Sequence, residues 1–129
     1  MKFFTRRKRK EILTEEVKES VRKRVTKYLK RSSPGTYASL NKYYMIKSHR
    51  DFVNTLIEEP GECYQILVKY FNNYESAEFF IYCILERLLA FNPFYIASAM
   101  TALKEGNDNE FKKILAHALS RESMRTIII

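Results

Sequence analysis

From Leu13 onward the apolar positions of this chain fall at helical intervals, with Pro, Gly and Asn marking the breaks between segments. The first segment is the most regular: Leu13, Val17, Val21, Val25 and Leu29 recur every fourth residue. Thr14, followed by Glu15 and Glu16, offers a side-chain cap and acids for a first turn, so a helix is expected to run to about Arg31. At about 100° per residue, a strict four-residue repeat rotates about 40° at each step, and the stripe drifts around the helix. A narrow, oblique stripe of this kind suits a helix that wraps over a surface or crosses a partner, not one locked lengthwise into a bundle.

Ser32, Ser33, Pro34 and Gly35 form the clearest break. Beyond it, Tyr37, Leu40, Tyr43 and Tyr44 share a helix face from Thr36 to about Lys47, with Lys42 and Lys47 outside it. Ser48 with Asp51 three residues on matches a capping box opening a helix that carries Phe52, Val53, Leu56 and Ile57 inward and stops at Glu59, Pro60 and Gly61. Residues 62–73 fit two patterns. Cys63, Ile66, Leu67, Tyr70 and Phe71 have helical spacing, while Tyr64, Ile66, Val68 and Tyr70 alternate as a strand would. Helix is preferred, because helices flank the segment and no partner strand is in view.

The stretch from Ser76 to Phe91 is apolar on nearly every side, so it is expected to be the helix the others surround. Its uninterrupted apolar run from Phe79 to Leu85 ends at Glu86 and Arg87, well short of the roughly 18 to 20 residues that cross a bilayer. Asn92 and Pro93 open the next helix, with Ile96, Ala97, Met100 and Leu103 on one side and Gly106 at its end. Asn107 with Glu110 opens the last, whose face is Phe111, Ile114, Leu115, Ala118 and Leu119. Ile127, Ile128 and Ile129 are expected to pack on the domain or on another subunit. The resulting fold class is all-α: a bundle of four to five helices with a projecting basic N-terminal helical arm. The arm takes residues 1–31 and the body residues 36–129.

Charge sharpens that division. Residues 1–50 carry 16 Lys/Arg against 4 Asp/Glu, and residues 51–129 carry 7 against 11. A segregated positive field attracts polyanions, and the basic stretch lacks the bulky apolar face of a membrane-surface helix, so nucleic acid is the expected partner. Arg6, Arg7, Lys8, Arg9 and Lys10 are contiguous, and Phe3 and Phe4 precede them as an apolar anchor or a stacking pair. In the following helix Lys18, Arg22, Lys23, Arg24, Lys27, Lys30 and Arg31 flank the stripe, and Lys42, Lys47 and Arg50 extend the set. Lys and Arg without an evident base-reading set imply sequence-independent binding through phosphates, more readily of a duplex than of a single strand. Tyr37, Tyr43 and Tyr44 beside cations have the chemistry to stack on bases, although tyrosines at this spacing form the edge of a core more often.

Signatures of catalysis are missing: the chain holds no glycine-rich phosphate loop, no GxSxG, no HExxH and no pair of metal-spaced histidines. His49 and His117 are single and sit in different segments. Neither an enzyme, a metal nor a cofactor is expected. Cys63 and Cys83 lie in apolar segments without a CxxC neighbour and read as buried thiols in a reducing compartment. No apolar segment of secretory length follows the basic start, so export through a signal peptide is not expected. The segments around Gly106 offer an alternative, a helix-turn-helix regulator with Lys112, Lys113, His117 and Arg121 on its second helix. A further alternative is a small interaction subunit of a nucleoprotein or replication complex.

The basic run RRKRK, the segment VKESVRKRVTKYLKR and the SSPG break ahead of an apolar helical body resemble the arrangement in major capsid proteins of filamentous archaeal viruses. The resemblance covers arm and body. It implies a structural subunit that coats or packages double-stranded DNA, associates with itself or with a paralogous subunit, and resides in a virion or an intracellular nucleoprotein.

Overall fold

The computed structural model describes the backbone of residues 11–128 and side chains from 11 to 120. Within it the chain folds into seven helices: α1 (Glu15–Ser32), α2 (Pro34–Ser48), α3 (Phe52–Glu58), α4 (Pro60–Phe71), α5 (Tyr74–Leu88), α6 (Pro93–Glu105) and α7 (Asp108–Ile128). The all-α class stands, and no strand occurs among the described residues. Seven helices stand where a bundle of four to five and an arm were expected: every break the sequence marks, however short, separates two helices, and α1 joins the bundle. Ser33 alone separates α1 from α2, and Glu59 alone separates α3 from α4; Pro34 and Pro60 then start the next helix at N1, where the missing N–H costs nothing.

Local chemistry sets most ends as expected. Thr14 Oγ1 accepts from the Val17 N–H, Asn92 caps α6, and Gly106 closes α6 at a φ of 71°, whereas α5 runs from Tyr74 to Leu88 instead of from Ser76 to Phe91, with Asn73 as its cap. Ser48 is a correction. It closes α2, its hydroxyl bonding to the Tyr44 carbonyl, while Asp51 caps α3 by accepting from the Asn54 N–H. The reason is His49, which adopts φ 63° and ends α2 in a left-handed turn, leaving Asp51 as the first residue placed to cap. Residues 62–71 are helical, Asn72 ends the helix in a left-handed turn, and the alternating pattern is incidental: Cys63, Ile66 and Leu67 face inward together.

The second correction concerns α1. Val21, Val25 and Leu29 are fully buried, and the helix packs against α5, α3, α2 and α7. It does not project. Its drifting stripe crosses over the chain's own body, meeting α3 near Lys18 and α5 near Tyr28. At about 1.5 to 3 kcal/mol for each buried aliphatic, these three side chains contribute roughly 5 to 9 kcal/mol. That is comparable with the net stability of a whole domain, roughly 5 to 15 kcal/mol.

The third concerns the centre of the bundle. Helix α4 touches α2, α3, α5, α6 and α7, and buries Gly61, Cys63, Tyr64, Ile66 and Leu67. Helix α5 is covered on one side only, where it buries Ala77, Ile81, Ile84, Leu85 and Leu88, and leaves Phe79 69% exposed and Tyr82 exposed. The expectation of a helix surrounded by protein therefore fails on that face. Gly61 is where α4 comes nearest the α6–α7 corner. Its N–H donates to Asp108 Oδ1 at 2.8 Å, and a Cβ there would meet that same oxygen.

Candidate nucleic-acid interface

The cations of α1 divide along the helix. At its N-terminal end Lys18 is buried, and its Nζ lies 3.0 Å from Glu11 Oε1, 3.1 Å from Glu58 Oε2 and 3.8 Å from Glu15 Oε2. Hydrogen bonds to Glu11 and then to Glu58 raise its pKa. Lys18 thus leaves the candidate set, since reaching a phosphate would mean abandoning the carboxylates that hold α1 to α3. Arg22 is half-committed in the same way: Nε donates to Asn54 Oδ1 at 3.0 Å and Nη1 to Glu19 Oε1 at 2.9 Å. Arg24 is half-buried.

Toward the C-terminal end Lys23, Lys27, Lys30 and Arg31 are exposed, and none forms an ion pair among the described residues. At about 100° per residue they fall within an arc of about 100° and span about 12 Å of axis, forming one ridge. Lys30 and Arg31 also occupy the last turn, where cations favour the helix dipole. The same two charges thus stabilise α1 and remain open to a ligand.

The remaining candidates are scattered. Lys42 and Lys47 are exposed on α2, with Lys47 Nζ 5.5 Å from the Tyr43 ring centre. Arg50 Nη1 pairs with Glu59 Oε2 at 3.4 Å. Glu59 and Glu62 form a carboxyl pair in which Glu62 retains its proton longer and can donate it to Glu59, so the Glu59 pKa is lowered and that of Glu62 raised, with Arg50 adding to the first effect. Arg6, Arg7, Lys8, Arg9 and Lys10, with Phe3 and Phe4, lie outside the described residues, as do the side chains of Arg121 and of Ile127, Ile128 and Ile129.

The tyrosines of α2 belong to the core edge. Tyr44 is fully buried, its hydroxyl donating to the Cys63 carbonyl at 2.6 Å, and burial drives its pKa far up. Tyr43 packs edge-on against Tyr70, and Tyr44 against Phe52, leading through Phe80 to Phe71 in a continuous aromatic chain. Of the thiols, Cys63 is buried and its pKa is raised by that burial, whereas Cys83 is only half-buried, against expectation. No metal-competent group of His, Cys, Asp and Glu occurs among the described residues.

One basic residue escaped the sequence reading. The Arg87 guanidinium lies 5.1 Å from the Tyr28 ring centre and 5.3 Å from that of Phe91, joining the end of α5 to the ridge end of α1. Its signal was present: Arg87 is the only cation in α5 and follows Phe79 and Cys83 at intervals of four. In the α6–α7 pair, Lys112 is half-buried and lines a cavity of about 260 Å³ together with Glu11, Lys18 and Glu58, while His117 stands edge-on to Tyr95. Lys112 therefore faces the chain's own ionic cluster.

No family model, curated protein or solved structure matches this chain. None of the described helices is long and apolar enough to cross a membrane.

Proposed function

We propose that this chain binds nucleic acid without regard to sequence, duplex DNA first, as a structural subunit that coats or packages it. The observation carrying the proposal is the ridge of Lys23, Lys27, Lys30 and Arg31, exposed and without ion pairs among the described residues, on a helix whose Lys18 and Arg22 are engaged by Glu58 and Asn54. A duplex presents one phosphate charge per roughly 1.7 Å of axis, so a ridge of about 12 Å faces several. Lysines and an arginine along one exposed ridge suit phosphate contacts, which fix a protein on a backbone without carrying sequence information. The capsid reading, a nucleocapsid subunit in a virion, is supported by this ridge and by the basic run at residues 6–10, not by a helix standing off the body. No enzymatic step is part of the proposal.

Titrating duplexes of unrelated sequence at several salt concentrations tests it. Neutralising about six phosphates gives a slope of log K against log salt near −5. Affinity is expected to be the same for all sequences, and a flat salt response would sink the proposal. A second reading, a small interaction subunit of a nucleoprotein assembly, is favoured by Ile46 and Phe94, 74% and 78% exposed on α2 and α6. Failure of the chain to bind naked DNA would put that reading first.

A further inference from the structure

A groove of about 440 Å³ opens between the C-terminal turns of α1 and the outer row of α5, lined by Tyr28, Ser32, Phe71, Phe79, Phe80 and Cys83 among others. That size falls within the roughly 300 to 1,000 Å³ typical of small-ligand sites. Its position matters more than its size. Tyr28 and Ser32 belong to the same turns as the basic ridge, with Arg31 about 60° and Lys27 about 100° around the helix from Tyr28. Phe79, Cys83 and Arg87 form an i, i+4, i+8 row along α5, and the guanidinium seated over Tyr28 places a cation beside the groove. Phe79 stands 69% exposed at its mouth.

We infer that this groove is a base-stacking site and that single-stranded nucleic acid is the ligand it takes. The inference rests on the ridge binding phosphates as proposed above. Aromatic faces bordered by cations are what unpaired nucleotides require: the rings stack on bases, and Lys27, Arg31 and Arg87 neutralise the backbone. The charge on either side of Phe79 orients the strand. Its other side borders a second groove lined by Glu75 and by Glu78, which pairs with Lys104; Glu75 leaves that side net negative, so the backbone runs along α1. A base paired in a duplex cannot offer its face to the groove, so the site distinguishes an open strand from a closed one.

The experiment compares binding of the full chain to oligothymidylate, to an abasic strand of equal length and to a duplex, for the wild type and Phe79→Ala. Phe79 is mostly in water, so its truncation leaves the fold intact, which thermal melting verifies. Oligothymidylate is expected to bind about tenfold or more tighter than the abasic strand, and Phe79→Ala to abolish that margin while leaving abasic and duplex affinities unchanged. Oligothymidylate is also expected to slow alkylation of Cys83, the other cysteine being fully buried. Equal affinities for the two strands, or thymidylate binding indifferent to Phe79→Ala, would overturn the inference. So would a change of oligomeric state in that variant without loss of the thymidylate margin, which would give the groove to a second copy of the chain. Salt-steep duplex binding with no thymidylate margin would remove this inference alone, whereas absence of binding to any of the three ligands would remove the proposed function with it.

Discussion

Both ends of α1 carry cations, which meet opposite fates, and its acids, Glu15, Glu16 and Glu19, all lie toward the start. Near its start Lys18 and Arg22 are spent on Glu11, Glu58, Asn54 and Glu19, within the chain. Over the last three turns Lys23, Lys27, Lys30 and Arg31 face solvent with no ion pair among the described residues. The difference comes from the drift of the apolar stripe. As the stripe rotates, it turns Lys18 under the bundle onto α3, and leaves the later cations outside while Leu29 goes under. Counting basic residues therefore overstates the binding surface, and the charges open to a ligand are those the stripe turns outward.

Removing α1 altogether gives the largest effect. A chain beginning at Ser33 loses Val21, Val25 and Leu29 from the core, roughly 5 to 9 kcal/mol of burial, and is expected to show no cooperative melting by circular dichroism. A cooperative melt near that of the full chain would mean that α1 is an appendage after all. Replacing Lys23, Lys27, Lys30 and Arg31 together by Ala comes next. With each phosphate contact worth nearly tenfold at about 0.1 M salt, duplex affinity should drop on the order of a thousandfold, while the melting temperature stays within a few degrees.

Lys18→Met reverses the pattern. Stability is expected to fall by about 1 to 2 kcal/mol at neutral pH, because Glu58 loses its buried partner, with duplex affinity unchanged. Since the fold raises the Lys18 pKa, its contribution is fully present below the ordinary lysine value and fades as pH rises through the higher folded value. The gap between wild type and variant in denaturant melts should therefore close at strongly alkaline pH. Smallest is Arg22→Ala, expected to cost under about 1 kcal/mol because the side chain is 32% exposed and its ion-pair partner Glu19 stands in solvent. Its duplex affinity should be nearly unchanged, and a loss matching that of Lys27→Ala would extend the ridge to Arg22.

Helix ends were largely legible in the sequence, because caps are local: Thr14, Asn92, Pro93 and Gly106 act within a turn of themselves. Ser48 misled because its hydroxyl had a competing local partner in the Tyr44 carbonyl, and spacing alone does not weigh the two. What the sequence obscured was tertiary. An oblique stripe looks the same whether it crosses another molecule or the chain's own α3 and α5. The apolar circumference of Ser76 to Phe91 likewise did not tell which side would be covered, and Phe79 and Tyr82 were left outside while α4 took the centre. The candidate interface was legible as a charged segment but not as a ridge, because assigning Lys18 required knowing that Glu58, forty residues on, would sit beside it.

The most direct test measures duplex binding against salt for the wild type and the fourfold ridge variant side by side. A steep slope near −5 for the wild type, shallower by about 3 to 4 in the variant, is what phosphate neutralisation by four ridge cations requires. Identical slopes for the two chains, or a flat response in the wild type, would contradict the ridge as the nucleic-acid interface.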